Sequence, residues 1–268
     1  MTEIKNIGIV GLGLIGGSFA KAIKKNTDYI IFGFDINKAV TDKTIKEKVI
    51  DFELGNENLN LCDLIIICIY PKATIKYIED NIDKFKKDCI IIDTCGVKRY
   101  VINHLETILK QKQINFIGGH PMAGKEFSGY ENSDASIFKN ASMILTPINE
   151  NKELVDFLNI FFKKLTFKNI TVTNPENHDK MIAYTSQLAH IVSNAFVKSE
   201  RVKNHKGYSA GSFQDLTRVA RLNEKMWTEL FFENKDYLTN ELENLIKNLT
   251  EYKNALNNND IKNLENLL

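Results

Sequence analysis

The chain has few cysteines, and none of them form a C-x-x-C pair. Cys62, Cys68, Cys89 and Cys95 lie within or beside apolar runs. This spacing argues against both a disulfide framework and a thiolate zinc site. It predicts reduced, mostly buried thiols in a cytoplasmic protein that holds no metal. Neither charge sign is in surplus, since the formal net charge is +1. Composition therefore gives no reason to expect nucleic acid or an anionic membrane as a partner. No apolar run is as long as a membrane span. An apolar, strand-like run begins by residue 4, so no targeting peptide is expected ahead of the fold. There are no internal repeats.

The 268 residues are 43% hydrophobic and 26% charged. These are ordinary values for a protein that buries a real core, in one large or two smaller domains. The first half alternates strand-like and helix-like segments. IGIVGL (7–12), YIIFGFD (29–35), LIIICIY (64–70) and CIIIDT (89–94) are nearly unbroken apolar runs. Such continuity predicts strands covered on both faces, as in a parallel sheet between helices. Residues 15–25, 97–110 and 151–165 read as helices. NFIGG (115–119), SMILT (142–146) and NITVT (169–173) read as further strands. The order predicts an α/β, doubly wound, mostly parallel sheet.

After Pro175 the pattern becomes helical. Residues 176–201 read as one long helix, a loop follows at 207–212, and helices resume from Leu216. Leu238, Leu242, Leu245, Leu249, Tyr252 and Leu256 step by alternating fours and threes. That spacing suits a helix packed along another helix, either within the chain or across a subunit interface. The expected domains are 1–173 and 174–268, and the polar tail at 257–266 is expected to fray.

Gly11-Leu-Gly13-Leu-Ile-Gly16 is a G-x-G-x-x-G motif between a strand and a helix, the context that gives the motif its meaning. Gly11 would permit the tight turn, Gly13 the approach of a pyrophosphate, and Gly16 close helix–sheet packing. The helix N-terminus, with Leu14 and Ile15, would offer N–H groups to phosphate. Asp35 ends the second run, 19 residues after Gly16, close to the ~20 expected of the acid that binds ribose hydroxyls. A carboxylate there repels a 2′-phosphate, so the expected cofactor of this Rossmann-type domain is NAD rather than NADP. Tyr70 and Pro71, at the end of another run, are also assigned to it.

GGHPMAGKEFSG (118–129) holds His120 where a strand should end and a loop begin. On its own the residue is either a turn cap or an imidazole held out for chemistry. His190, within a helix, would ordinarily be a packed residue, and Arg218 an ordinary surface or interface ion-pair residue. The order of GLGLIGGS (11–18), DTCGVK (93–98), GGHPMAGKEFSG, SQLAH (186–190) and DLTRVA…MW (215–227) changes that reading. This set resembles the prephenate dehydrogenase family of tyrosine biosynthesis over nearly the whole chain.

The resemblance implies NAD-dependent oxidative decarboxylation of prephenate to 4-hydroxyphenylpyruvate, with hydride transfer from C4 and loss of CO2. It implies that His120 accepts from the C4 hydroxyl, that Arg218 pairs a substrate carboxylate, and that His190 and Ser186 line the substrate site. It implies a gating ion network of Glu126 and Asp215 with the arginine, and an all-α C-terminal domain that makes a homodimer. Two positions depart from the family pattern. Gly96 stands where relatives carry a substrate-site serine, and Gln187 where they often carry another histidine. No chorismate mutase segment or ACT domain is recognisable, so tyrosine inhibition through a separate domain is not expected. The rivals are arogenate or cyclohexadienyl dehydrogenase, a β-hydroxyacid dehydrogenase, and a non-catalytic NAD-sensing dimer. Lys180 without flanking glycines fits the β-hydroxyacid class poorly.

Overall fold

The computed structural model describes residues 4–149 and 151–268. Two compact units divide between His178 and Asp179. The first holds eight strands: β1 (Asn6–Val10), β2 (Ile30–Phe34), β3 (Phe52–Glu53), β4 (Leu64–Ile67), β5 (Ile90–Asp93), β6 (Asn115–Pro121), β7 (Ser142–Pro147) and β8 (Asn169–Val172). Its helices are α1 (Leu14–Asn26), α2 (Lys38–Lys46), α3 (Pro71–Asn81), α4 (Arg99–Lys112) and α5 (Lys152–Lys164).

The strands form one sheet in the order β3-β2-β1-β4-β5-β6-β7-β8. The first six are parallel, β7 runs antiparallel to β6, and β8 runs parallel to β7. The 3-2-1-4-5-6 core is the Rossmann order, whose strand sequence reverses direction between β1 and β4. The unbroken apolar runs have a direct cause here. Ile7, Ile9, Leu64, Ile66, Ile90 and Ile92 face a core shared with Phe19 and Ile23 of α1 and Leu158 and Phe162 of α5. Their neighbours Ile65, Ile67 and Ile91 face the opposite core, with Ile78 of α3 and Val101 and Leu105 of α4. Each fully buried aliphatic side chain contributes roughly 1.5–3 kcal/mol, so both faces of the sheet are held strongly.

A helix, α6 (Pro175–Ile182), spans the division between the units. Its start is encoded locally: Asn174 Oδ1 accepts from the Asn177 N–H at 2.8 Å, and Pro175 takes the first helical position. The expected single helix over 176–201 is interrupted and ends sooner. A π-helical segment, Ala183–Leu188, follows α6, and α7 (Ala189–Phe196) closes at Val197. Ser199 then caps a short 3-10 turn, so the chain has left the α-helix before residue 201.

The second unit continues with α8 (Gly211–Thr217), α9 (Glu224–Glu233), α10 (Lys235–Asn257) and α11 (Ile261–Leu267). The tail expected to fray is therefore ordered: Asp260 caps α11, and the Tyr252 hydroxyl donates to the Leu267 carbonyl at 2.6 Å. The core of this unit is small, with Ala183, Leu188 and Leu238 buried and Ile191, Val192, Phe231 and Leu242 packed on them. A polar lock joins its elements. Buried Gln187 donates to the Leu230 carbonyl at 3.0 Å, and Asn234 donates to Gln187 Oε1 and to the Asp179 carbonyl, each at 2.8 Å. No helix is long and apolar enough to cross a membrane among the described residues.

Candidate active site

The carboxyl ends of β1, β2, β4, β5 and β6 carry the first unit's candidate residues in a row. This is where ligands bind in open α/β sheets. Gly11 has a φ of +85°, and a Cβ there would lie 2.6 Å from Ile69. A Cβ on Gly16 would lie 1.8 Å from the Gly11 carbonyl oxygen and 3.1 Å from Cys68 Cβ. A Cβ on Gly13 would meet nothing within 4 Å. Two glycines are thus needed for packing, and the third faces open space. Gly13 is also the N-cap of α1, with no side chain capping it and no acid in the first turn. The N–H groups and positive dipole end of α1 remain for an anion.

Asp35 lies just past β2. Its carboxylate accepts from the Leu12 N–H at 2.8 Å and the Asn37 N–H at 2.9 Å. Each carboxylate oxygen can accept twice, so both keep capacity for ribose hydroxyls. The donor set, the open Gly13 and the uncapped helix fit a dinucleotide. Leu14 and Ile15 open α1, while Tyr70 and Pro71 are the N-cap and first residue of α3. These groups flank the β1/β4 switch point.

Beyond β5 the chain forms a buried polar knot. The Lys98 ammonium pairs with Asp93 and donates to the Gly119 carbonyl at 2.6 Å, both side chains being fully buried. Asp93 also accepts from the N–H groups of Cys95 at 2.9 Å and Gly119 at 3.2 Å. This knot ties the loop bearing Gly96 to the strand bearing His120. Gly118 and Gly119 serve it. A Cβ on Gly118 would lie 2.2 Å from Thr146 Oγ1, and one on Gly119 would lie 2.6 Å from the Asp93 carbonyl. These two glycines provide close packing within the sheet rather than room for a ligand. Gly124, in the loop beyond, faces open space.

His120 does not follow the strand but belongs to it. β6 runs to Pro121 and pairs His120 with Ile144 of β7, while the last β5–β6 pair is Asp93 with Gly118. His120 therefore overhangs the end of β5 with one strand edge unpaired. Its Nδ1 lies 2.9 Å from Nε2 of His178. Burial pushes its pKa well below the ordinary 6.5, and His178 and Lys98 push in the same direction. The ring is held neutral at physiological pH. His178, which sequence reasoning passed over, is 2% exposed on α6. The only local signal for it was a helix start that reads as an ordinary cap.

In the second unit, His190 Nδ1 is 3.1 Å from the Val219 carbonyl, and the ring packs on Trp227 at 4.1 Å between centroids. A carbonyl only accepts, so Nδ1 carries the proton and Nε2 is left as the acceptor. Burial lowers the pKa of His190, and nearby Arg218 adds to the effect. Arg218 ends α8 and is exposed, as is Asp215 one turn earlier, with no ion pair between them. Ser186 lies in the π segment and His190 in α7, so the two do not share one regular α-helical face. Both are partly buried. Gln187 is a buried structural amide. Glu126 is exposed on the loop after β6, without an ion-pair partner among the described residues of its unit.

Known proteins were compared with this chain. The family described as "Prephenate dehydrogenase, nucleotide-binding domain" matches residues 19–171, and "Prephenate dehydrogenase, dimerization domain" matches residues 174–268. A prephenate dehydrogenase of Lactococcus lactis subsp. cremoris is 32% identical over 92% of this chain and 70% of its own length. A cyclohexadienyl dehydrogenase of Zymomonas mobilis subsp. mobilis is 29% identical over 97% of this chain and 91% of its own. The crystal structure of prephenate dehydrogenase from A. aeolicus in complex with hydroxyphenyl propionate and NAD+ superposes with a TM-score of 0.87. It shares 27% identity, covering 98% of this chain and 94% of that one.

Proposed function

This chain belongs to the prephenate dehydrogenase family, and on that premise we propose that it oxidatively decarboxylates prephenate to 4-hydroxyphenylpyruvate with NAD. The observation that carries the reading is a neutral imidazole, His120, overhanging the same carboxyl edge of the sheet that carries the glycine loop. NAD, held by the glycine loop and Asp35, would supply the acceptor for the C4 hydride. His120 Nε2 takes the C4 hydroxyl proton as that hydride leaves. The ring carboxylate departs as CO2, its bonding electrons aromatise the ring, and His120 returns the proton to the phenolic oxygen. A positioned base of this kind contributes ~10²–10⁴-fold.

Arg218 pairs a substrate carboxylate with its planar fork, and His190 and Ser186 line the ring. Glu126 and Asp215 complete a gating network with the arginine, and the backbone N–H of Gly96 replaces the serine hydroxyl of relatives. Gly11, Gly13, Leu14, Ile15, Gly16, Asp35, Tyr70 and Pro71 hold the cofactor, with NAD preferred over NADP because of Asp35. The functional domains are 1–173 and 174–268. The second domain joins two copies of a cytoplasmic homodimer, a reading supported by its exposed apolar side chains.

A second reading, arogenate or cyclohexadienyl dehydrogenase, is favoured by the likeness to the Zymomonas protein. The test is NADH absorbance after adding prephenate, then arogenate, to enzyme with NAD. Prephenate turnover with the larger kcat/KM is expected. Preference for arogenate would support the second reading, and no signal from either would overturn both.

A further inference from the structure

We propose that His178 is a positioning residue for His120: its Nε2 accepts the Nδ1 proton of His120 and so leaves the His120 Nε2 lone pair free to act as base. The proposal rests on the reading of His120 given above. Its geometric basis is a ring-to-ring contact of 2.9 Å between nitrogens, with centroids 5.1 Å apart and planes inclined by 58°.

Both partners are fixed by their own elements. His120 is registered against Ile144 of β7 and followed by Pro121. His178 stands in the first turns of α6, where its N–H donates to the Asn174 carbonyl at 3.0 Å and Asn174 caps the helix. The contact is therefore between two rigid elements rather than two free side chains. Lys98, which acts on His120, is itself bound to Asp93 and to the Gly119 carbonyl.

When each ring carries a single N–H, two imidazoles that share one hydrogen bond have two arrangements. In one, His120 donates from Nδ1 and keeps an acceptor at Nε2. In the other, His178 donates, and His120 presents an N–H where a base is required. Only the first survives the reaction. Once His120 has taken a proton, both its nitrogens carry hydrogen, and an N–H from His178 would then face an N–H. With His178 as acceptor the same bond holds before and after the transfer, and no atom moves to accommodate the charge.

The experiment pairs a spectroscopic and a kinetic readout on the full-length protein. Ring-nitrogen NMR of ¹⁵N-histidine-labelled enzyme, assigned with His120→Asn and His178→Gln, reads the tautomer without substrate. Hydrogen on Nδ1 and a bare Nε2 at His120 is expected, and hydrogen on Nε2 would overturn the proposal. In turnover with prephenate and NAD, His178→Leu should lower kcat by about 10²-fold with KM within about twofold, short of the ~10⁴-fold of a locked wrong tautomer. His178→Gln, whose amide oxygen can accept, should recover most of that loss. Unchanged kcat in His178→Leu, or equal losses in the two folded variants, would overturn the proposal. If the leucine variant does not fold, the wild-type tautomer decides. Failure of the base reading looks different: the tautomer would be as expected while His120→Asn retained full kcat.

Discussion

In the nucleotide-binding unit the large aliphatic side chains of the central strands are sequestered: Ile7, Ile9, Ile65, Ile66 and Ile91 show no exposed surface. In the helical unit Phe232, Leu249, Leu256 and Ile261 are 71%, 57%, 62% and 72% exposed. The first unit builds two cores around a sheet. The second closes over a small cluster of Ala183, Leu188 and Leu238 and a Gln187–Asn234 lock. These exposed apolar side chains fit the homodimer interface proposed for this unit. The labour proposed above is divided in the same way, with cofactor and proton transfer in the first unit and substrate carboxylate binding in the second.

The sharpest way to break this division is kinetic. His120→Asn should lower kcat ~10²–10⁴-fold with little change in KM. Arg218→Gln should raise KM for prephenate about tenfold, the equivalent of ~1.4 kcal/mol, with a smaller fall in kcat. If Arg218→Gln cost mainly kcat, the division between units would not hold. Next in size is the exposed face. Leu249→Glu combined with Leu256→Glu should convert a dimer to a monomer in sedimentation analysis, because each carboxylate would have to be desolvated at the interface. An unchanged sedimentation coefficient would move the interface elsewhere.

Within the first unit, Gly16→Ala should cost at least ~1–3 kcal/mol of stability by overpacking. Gly13→Ala should leave Tm almost unchanged and raise KM for NAD, since its Cβ would meet only open space. Equal melting of the two variants would undo the distinction between packing and ligand glycines. The smallest effect concerns pH. The folded pKa of His120 is lowered from 6.5, so as pH falls below that value the unfolded chain takes up the proton first. Stability is full above about 6.5 and declines below it. Wild-type Tm should therefore fall by ~2–4 °C more than that of His120→Asn between about pH 7.5 and 5.5. Parallel profiles would mean that His120 is not held neutral.

The parallel sheet was legible because a strand buried on both faces has no choice but a continuous apolar run. The glycine loop was legible because its three glycines sit between such a run and a helix. Other features depend on relations that sequence does not display. His178 sits in PENHDK, which announces only a helix start, and its partner lies 58 residues away. The π segment inserts a wider turn that no 3.6-residue period reveals. Gly118 and Gly119 read as the end of a strand, and nothing in sequence shows Thr146, Lys98 and Asp93 pressed against them. The roles of Glu126 and Asp215 came from family resemblance rather than spacing, and neither has an ion pair among the described residues of its own unit to support it.

The four thiols all belong to the nucleotide-binding unit and are all free. Burial pushes the pKa of Cys62 and Cys68 up to about 12 and raises those of Cys89 and Cys95 as well. A thiol that is neither ionised nor accessible does not react with alkylating reagents in the native state. Labelling of buried Cys62, Cys89 or Cys95 therefore reports an opening of this unit. The single tryptophan, Trp227, lies in the other unit against His190. Nature has thus placed separate clocks in the two halves, with thiol trapping timing the breathing of one and indole fluorescence following the loosening of the other.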